Sequence, residues 1–124
     1  MKKERLDGGK QIVNYMNIDY LEAVKVDDGI ELYYLFRPKI KTEKLKIKKV
    51  FNTFTDLSSY MTSLKFFKLG KYYINTFNFS IVDEGELHEN NKKQNIILYM
   101  KSAQPLELTI SKIEWNSFKN SRLI

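Results

Sequence analysis

The segment 24–36, VKVDDGIELYYLF, constrains the fold more than any other part of the chain. Its Asp27-Asp28-Gly29 centre tolerates the positive φ angles that a tight turn requires, and β-prone residues flank it on both sides. Apolar side chains take alternate positions on the second arm: Ile30, Leu32, Tyr34 and Phe36. The pattern predicts a two-stranded antiparallel hairpin that ends at Pro38.

Positive charge is concentrated in the stretch that follows, residues 37–49. The 124 residues include 21 Lys and Arg against 15 Asp and Glu, a net charge of +6. Seven of the basic residues and one of the acidic residues lie in this stretch, which leaves 14 of each elsewhere. The seven are Arg37, Lys39, Lys41, Lys44, Lys46, Lys48 and Lys49. A codon-driven lysine bias would spread along the chain, whereas this excess is confined to thirteen residues.

The second half of the basic stretch has the period of a strand, because Lys44, Lys46 and Lys48 alternate with apolar residues. Such a strand is either a sheet edge that lysines protect from aggregation, or a surface that follows nucleic-acid phosphates. An edge needs only two or three lysines, so we favour phosphate binding. Tyr33 shares its face with Arg37 and is the one candidate for stacking on a base.

Helix and strand patterns divide the rest of the chain. The segment 55–70 predicts a helix, with Thr55 or Asp56 as its cap and Gly70 at its end. Alternating or continuous apolar residues predict strands at 71–82, 97–100 and 106–110, and Ile113 and Trp115 predict a resumed strand after a bulge. The polar segment 83–94 predicts a connecting loop.

These elements predict one domain over residues 1–124, in which residues 1–10 form a loose N-terminal arm. About six strands with one to three helices predict an α+β fold. We expect its mostly antiparallel or mixed sheet to curl into a small pseudo-barrel.

Composition excludes most catalytic chemistry. The chain has no Cys, which removes disulfides and thiolate metal sites, and His88 is its single histidine. The acidic residues around His88 match no metal-binding spacing and are typical of a solvated connection: Asp83, Glu84, Glu86 and Glu89. We therefore predict no catalytic residue, no metal and no cofactor. No apolar stretch approaches the roughly 18 residues of a membrane span, and we expect a cytoplasmic protein without membrane contact.

Four segments together resemble the PrgU-like family in size and element order: 24–36, 55–67, 71–82 and 106–115. Members of that family are small cytoplasmic proteins associated with conjugative plasmids of Gram-positive bacteria. The resemblance implies a pseudo-barrel similar to the PUA domains that bind RNA. It also implies a regulator that restrains overproduction of a plasmid-encoded surface adhesin through its transcript.

Three functional hypotheses follow. The leading one is a non-catalytic RNA-binding regulator, whose basic stretch contacts the phosphates of a single-stranded or structured transcript while Tyr33 stacks on an unpaired base. The second is a protein-binding module that docks an acidic partner on the lysine-rich strand. The third is a small endoribonuclease in which Glu86 or His88 moves protons. A homodimer is compatible with each of them.

Overall fold

The computed structural model describes residues 3–36, 43–88, 90–101 and 104–120. This part of the chain contains ten β-strands, two α-helices and one 3-10 turn. The strands are β1 (Lys3–Leu6), β2 (Gln11–Asn14), β3 (Tyr20–Val26), β4 (Gly29–Leu35), β5 (Lys44–Phe51), β6 (Phe66–Leu69), β7 (Tyr72–Asn75), β8 (Phe79–His88), β9 (Lys93–Met100) and β10 (Leu106–Ser111). The helices are α1 (Phe54–Ser63) and α2 (Lys112–Phe118), and the 3-10 turn is Tyr15–Asn17. The predicted α+β class is confirmed.

The described strands pair antiparallel in three sheets. The central sheet has the order β5-β4-β3-β7-β6, the second sheet has the order β10-β9-β8, and β1 pairs only with β2. These strands do not close on themselves, so the predicted pseudo-barrel of about six strands matches the structure only roughly. In the same residues, neither helix is long and apolar enough to cross a membrane.

The predicted hairpin is confirmed as β3 and β4, which pair from Leu21↔Tyr34 to Val26↔Gly29. Gly29 has a φ of 145°, and a Cβ at this position would lie 2.3 Å from the carbonyl oxygen of Phe51 in β5. Only glycine permits this approach. The register between β4 and β5 then shifts, which leaves residues 48–50 of β5 opposite a single residue of β4.

The central sheet buries apolar side chains on both of its faces. One face packs against α1 and the β1–β2 hairpin, and the other packs against the second sheet and α2. The first cluster includes Val13, Leu21, Leu32, Ile47, Leu57 and Met61. The second includes Tyr20, Leu35, Ile74, Leu98, Trp115 and Phe118. The polar residues of β4 and β5 lie where this second layer does not reach.

Residues 3–10, where we expected a loose arm, belong to the β1–β2 hairpin. The strands pair from Lys3↔Asn14 to Leu6↔Gln11. Leu6 and Val13 are buried in the first cluster, and this burial gives the hairpin a reason to stay on the sheet.

The first helix is shorter than predicted. Its cap is Thr53, whose hydroxyl accepts a hydrogen bond from the Asp56 N–H at 3.1 Å. Lys65 takes a left-handed φ of 67° two residues after the helix ends. The chain can then reverse, and residues 66–69 pair with β7 instead of continuing the helix. Gly70, with a φ of 63°, turns the chain between these two strands.

Three further predictions are corrected by the structure. The segment 83–94 is largely strand, since β8 runs to His88 and β9 begins at Lys93. Ile113 and Trp115 lie in α2, which starts where the Ser111 hydroxyl accepts a hydrogen bond from the Glu114 N–H at 3.1 Å. The strand predicted over 71–82 is interrupted by a turn at residues 76–78.

Candidate nucleic-acid interface

Five of the eight residues predicted to contact RNA lie in the described part of the chain, on β4 and β5: Tyr33, Lys44, Lys46, Lys48 and Lys49. Arg37, Lys39 and Lys41 lie outside the described residues. β5 is an edge strand of the central sheet, so both interpretations of the lysine-rich strand have the position they require.

Lys44, Lys46 and Tyr33 share one face with two carboxylates. The Tyr33 hydroxyl donates to Glu31 Oε1 at 2.6 Å, and Lys46 Nζ lies 3.0 Å from Glu31 Oε2. Lys44 Nζ is 3.6 Å from Glu22 Oε1 and 4.3 Å from the centre of the Tyr33 ring. One face of that ring therefore already carries a cation.

Contacts on this face shift the pKa values of three groups: Glu31, Tyr33 and Lys71. The hydrogen bond from Tyr33, followed by that from Lys46, lowers the pKa of Glu31 below its ordinary value. The same Tyr33 bond raises the pKa of the phenol. Glu22 is buried and also pairs with Lys71 at 3.0 Å, which raises the pKa of that lysine. Each of these shifts favours the charged form of Glu31 and Lys71 and the neutral form of Tyr33.

The other two lysines of β5 pair with the N-terminal hairpin. Lys48 Nζ lies 3.3 Å from Asp7 Oδ2, and Lys49 Nζ lies 3.2 Å from Glu4 Oε2. Both lysines project from the segment where the register between β4 and β5 shifts. The acidic residues of a hairpin that begins at Lys3 therefore neutralise a strand some forty positions later in the chain.

Gln11 covers part of the free edge of β5. Its side-chain Nε2 donates to the carbonyl of Lys46 at 3.0 Å, and its Oε1 accepts from the N–H of Lys48 at 2.7 Å. These are backbone groups that an added β-strand would use. Strand addition at this point would have to displace the Gln11 amide.

A tyrosine cluster anchors Glu4 beneath these lysines. Its Oε1 accepts hydrogen bonds from the hydroxyls of Tyr60 and Tyr15, the latter at 3.4 Å, and the two hydroxyls are 3.0 Å apart. Lys49 Nζ lies 4.7 Å from the centre of the Tyr60 ring. Burial raises the pKa of Tyr15 to about 12 and raises that of Tyr60 further. Sequence reasoning missed this cluster because Glu4 and Tyr60 are far apart in the chain.

Each described lysine of β5 thus has a carboxylate within 4 Å. The more exposed of these pairs, Lys46–Glu31 and Lys48–Asp7, contribute about 0–1 kcal/mol, so a phosphate can displace them. The carboxylates nevertheless stay nearby and repel the phosphate. This strand therefore offers a polyanion less attraction than its sequence indicates.

A different surface lies at the end of the central sheet where β3, β5 and β6 begin and β4 and β7 end. It carries three exposed apolar side chains and two exposed lysines: Met16, Phe36, Lys65, Phe77 and Lys101. We call these five residues the Phe77 surface. From β5 to β6 this end spans four interstrand spacings, about 19 Å.

Sequence reasoning missed the Phe77 surface because Phe77 fits the alternation of Tyr73, Phe79 and Ile81. In the structure Phe77 lies in the turn between β7 and β8, and its side chain is 74% exposed. The signal that was available is the pair of asparagines around it, since asparagine side chains bond to the backbone of turns. Asn75 Oδ1 does so here, accepting from the Phe77 N–H at 3.0 Å.

Three of the acidic residues near His88, namely Asp83, Glu84 and Glu86, are spread along β8, and Glu89 lies outside the described residues. Within the described residues, no three His, Asp or Glu side chains are grouped so that they could hold a metal ion. Glu84 accepts a hydrogen bond from the Trp115 indole at 2.6 Å and pairs with Lys119 at 3.0 Å. The contact with Lys119, followed by that with Trp115, lowers the pKa of Glu84. This carboxylate therefore serves to hold α2 against β8.

Comparison with known proteins adds no family to these observations. The chain matches no protein-family model, and no curated protein or solved structure is significantly similar to it.

Proposed function

We propose that the protein is a non-catalytic RNA-binding regulator that holds phosphates with lysine and arginine side chains. The observation that carries this proposal is where the net positive charge lies along the chain. The described residues contain 16 basic and 14 acidic side chains, so most of the net charge of +6 belongs to the remaining residues. Three of those are Arg37, Lys39 and Lys41.

The described residues that flank the segment 37–42 lie at the Phe77 surface. The residues on either side of this segment are Phe36 and Glu43, and the Phe36 N–H donates to the Glu43 carbonyl at 3.0 Å. Lys65 and Lys101, which belong to the same end of the sheet, form no ion pair in the described part of the chain. A polyanion that binds at this end of the sheet therefore meets two lysines without an ion-pair partner among the described residues.

RNA is favoured over an acidic protein that adds to β5 as a strand. Gln11 occupies backbone groups of Lys46 and Lys48, and the lysine side chains already have carboxylate partners. The contact area that such a protein would use is partly filled by the chain itself.

The resemblance to the PrgU-like family supplies the regulatory part of the proposal. The RNA would be a transcript for a plasmid-encoded surface adhesin, and binding would restrain its expression in the cytoplasm. In this proposal the antiparallel sheets are a variant of a PUA-like pseudo-barrel that binds RNA without cutting it.

The test is the salt dependence of RNA binding. It is measured by the fluorescence anisotropy of a labelled single-stranded RNA at salt concentrations between about 50 and 200 mM. Arg37, Lys39 and Lys41 are changed together to Ala in one variant. Lys44, Lys46 and Lys48 are changed together to Ala in a second, matched variant. The salt slope is the steepness with which the logarithm of the binding constant decreases as the logarithm of the salt concentration rises. For single strands its magnitude falls by about 0.7 for each phosphate contact removed. We expect a decrease of about 2 in the first variant and of less than 1 in the second.

Failure of the parent protein to bind RNA would overturn the proposal, as would parental affinity and slope in both variants. A loss confined to the second variant would keep RNA binding and assign it to β5. RNA that is shortened during the measurement would contradict the non-catalytic part. His88→Ala and Glu86→Ala variants then decide whether those residues cut it.

A further inference from the structure

Phe77 is displayed on a rigid turn. The Phe77 N–H donates to Asn75 Oδ1 at 3.0 Å, and the Asn78 N–H donates to the Asn75 carbonyl at 3.1 Å. The Asn75 side-chain amide in turn donates to the Ile18 carbonyl at 3.0 Å. The backbone is therefore fixed while the ring is left 74% exposed. Exposing a large aromatic side chain on a well-anchored turn contributes nothing to the core.

A lysine stands on each side of this turn. The Lys65 carbonyl accepts from the N–H and the hydroxyl of Thr76, at 3.3 and 2.8 Å. The Lys101 N–H donates to the Asn78 carbonyl at 2.7 Å. Both lysines are exposed, and neither forms an ion pair in the described part of the chain.

The carboxylate close to this turn is buried. Asp19 is 3% exposed, and its Oδ1 accepts from the Asn78 side-chain amide at 3.0 Å. The contrast with β5 is direct, because there each described lysine faces a carboxylate within 4 Å. Lys65 and Lys101 are thus more available to an anionic ligand.

The space beside the ring is apolar with polar edges. Phe77 and the exposed Met16 line a cavity of about 280 Å³ together with Tyr15, Leu64, Asn75 and Asn78. A flat ring could stack on Phe77 and extend toward Met16. An apolar ring next to two cations is complementary to the flat base and the anionic phosphates of an unpaired nucleotide, whereas a duplex conceals the faces of its bases.

We infer that Phe77 is a stacking site for an unpaired base of single-stranded RNA, with Lys65 and Lys101 on the phosphates at either side of it. This inference rests on the proposed RNA-binding function and names the form of RNA that is bound. It uses residues that the basic stretch does not contain.

The experiment compares Phe77→Ala and Phe77→Trp in the full chain, with a labelled single-stranded RNA and the matching duplex as probes. Stacking of a base on an aromatic side chain predicts that Phe77→Ala binds the single strand about 5- to 150-fold more weakly. Phe77→Trp should retain parental affinity. Ile113→Ala is the matched control, because Ile113 is 84% exposed and adjoins Glu114, whose carboxylate accepts from the Gly70 N–H at the end of β6 opposite Lys65. Circular dichroism checks that every variant is folded.

The lysines are tested separately. Changing Lys65 and Lys101 together to Ala should lower the salt slope by about 1.4, since two single-strand phosphate contacts are lost. Lys25 is the matched control, because it is exposed, lies at the opposite end of β3 and forms no ion pair in the described part of the chain. Lys25→Ala should leave the slope unchanged.

The outcomes separate this inference from the proposal on which it rests. If the parent binds the single strand and Phe77→Ala binds it equally well, the stacking site is wrong and RNA binding stands. Equal loss on the single strand and the duplex also overturns stacking. If the parent binds neither probe, both ideas fail. If Phe77→Ala keeps parental RNA affinity but no longer captures a protein that the parent captures from nuclease-treated extract, the Phe77 surface is instead a protein contact.

Discussion

The lysine-rich strand and the Phe77 surface both carry exposed positive charge, but in different surroundings. The lysines of β5 are each paired with a carboxylate from another element: Glu4, Asp7, Glu22 or Glu31. Lys65 and Lys101 have no such partner in the described residues, and the backbones of both are hydrogen-bonded to the turn that carries the exposed Phe77 ring. Charge density along a sequence locates lysines, whereas the neighbours that the fold supplies decide which of them a polyanion can use.

Tyr15 connects the two regions physically. Its hydroxyl donates to Glu4, the partner of Lys49, at 3.4 Å. Its carbonyl accepts at 3.4 Å from Asn75, whose side chain also holds the Phe77 turn. The two regions therefore differ in charge, but both contact the buried residue Tyr15. Variants can test each region separately.

The largest expected effect comes from Gly29→Ala. This substitution disturbs the packing of β4 against the lysine-rich strand β5 and leaves the Phe77 surface unchanged. An alanine Cβ would lie 2.3 Å from the Phe51 carbonyl oxygen at a φ of 145°. Moving β5 away and accepting the strained backbone should lower the free energy of unfolding by about 3 kcal/mol. Urea denaturation measures this loss.

The matched control is Gly8→Ala, since Gly8 has a φ of 65° with no atom within 4 Å of the added Cβ. It should cost about 1 kcal/mol, the penalty of a left-handed backbone alone. Equal losses in the two variants would mean that Gly29 does not set the approach of β5. Affinity for single-stranded RNA, measured per folded molecule, should change little in Gly29→Ala because Phe77 lies at the other end of the sheet.

Local patterns predicted the features that short stretches of chain determine. The Asp27-Asp28-Gly29 turn and the alternation of lysines in 44–48 each depend on neighbours in sequence, and both are present. The start of α1 was predicted within two residues, and the correct cap is again local, at Thr53.

Contacts between distant segments were beyond such patterns. The pairing of Lys48 with Asp7 spans 41 positions. It depends on the β1–β2 hairpin, and the composition of residues 1–10 had indicated a loose arm instead. Phe77 was assigned to a strand because alternation does not report that Asn75 bonds to the backbone two residues later. The neutralisation of the lysines was hidden because it depends on distant segments, whereas the exposed ring was hidden because apolar alternation masked a local asparagine turn.

Alkaline pH should test the link between the regions. The Tyr15 hydroxyl is buried, and its pKa is raised from 10.0 to about 12. A raised pKa in the folded state means that the unfolded chain loses this proton first. The stability that Tyr15 contributes is thus complete below pH 10 and lost as the pH rises to about 12, by up to roughly 3 kcal/mol.

The measurement is the free energy of unfolding of the parent and of Tyr15→Phe as a function of pH. Below pH 10 the variant should be about 1 kcal/mol less stable, because it lacks one hydrogen bond. The difference should shrink and then reverse between pH 10 and 12. Tyr99→Phe, which removes a hydroxyl from β9 in the second sheet, is the control. A constant difference for Tyr15→Phe would show that its hydroxyl does not titrate with unfolding.

The smallest effect should come from Glu31→Gln, and it tests the contrast between the two regions directly. Glu31 holds both Lys46 and the Tyr33 hydroxyl, so its neutral amide would release a cation and remove a repulsive charge. If carboxylates are what keep β5 from attracting RNA, affinity for the single strand should rise about 2- to 5-fold, the scale of one exposed ion pair. Glu86→Gln changes the net charge equally but lies on β8 in the second sheet, and it should raise the affinity less. Equal gains in the two variants would mean that only total charge matters, and that the pairing of the β5 lysines does not limit their contact with phosphate.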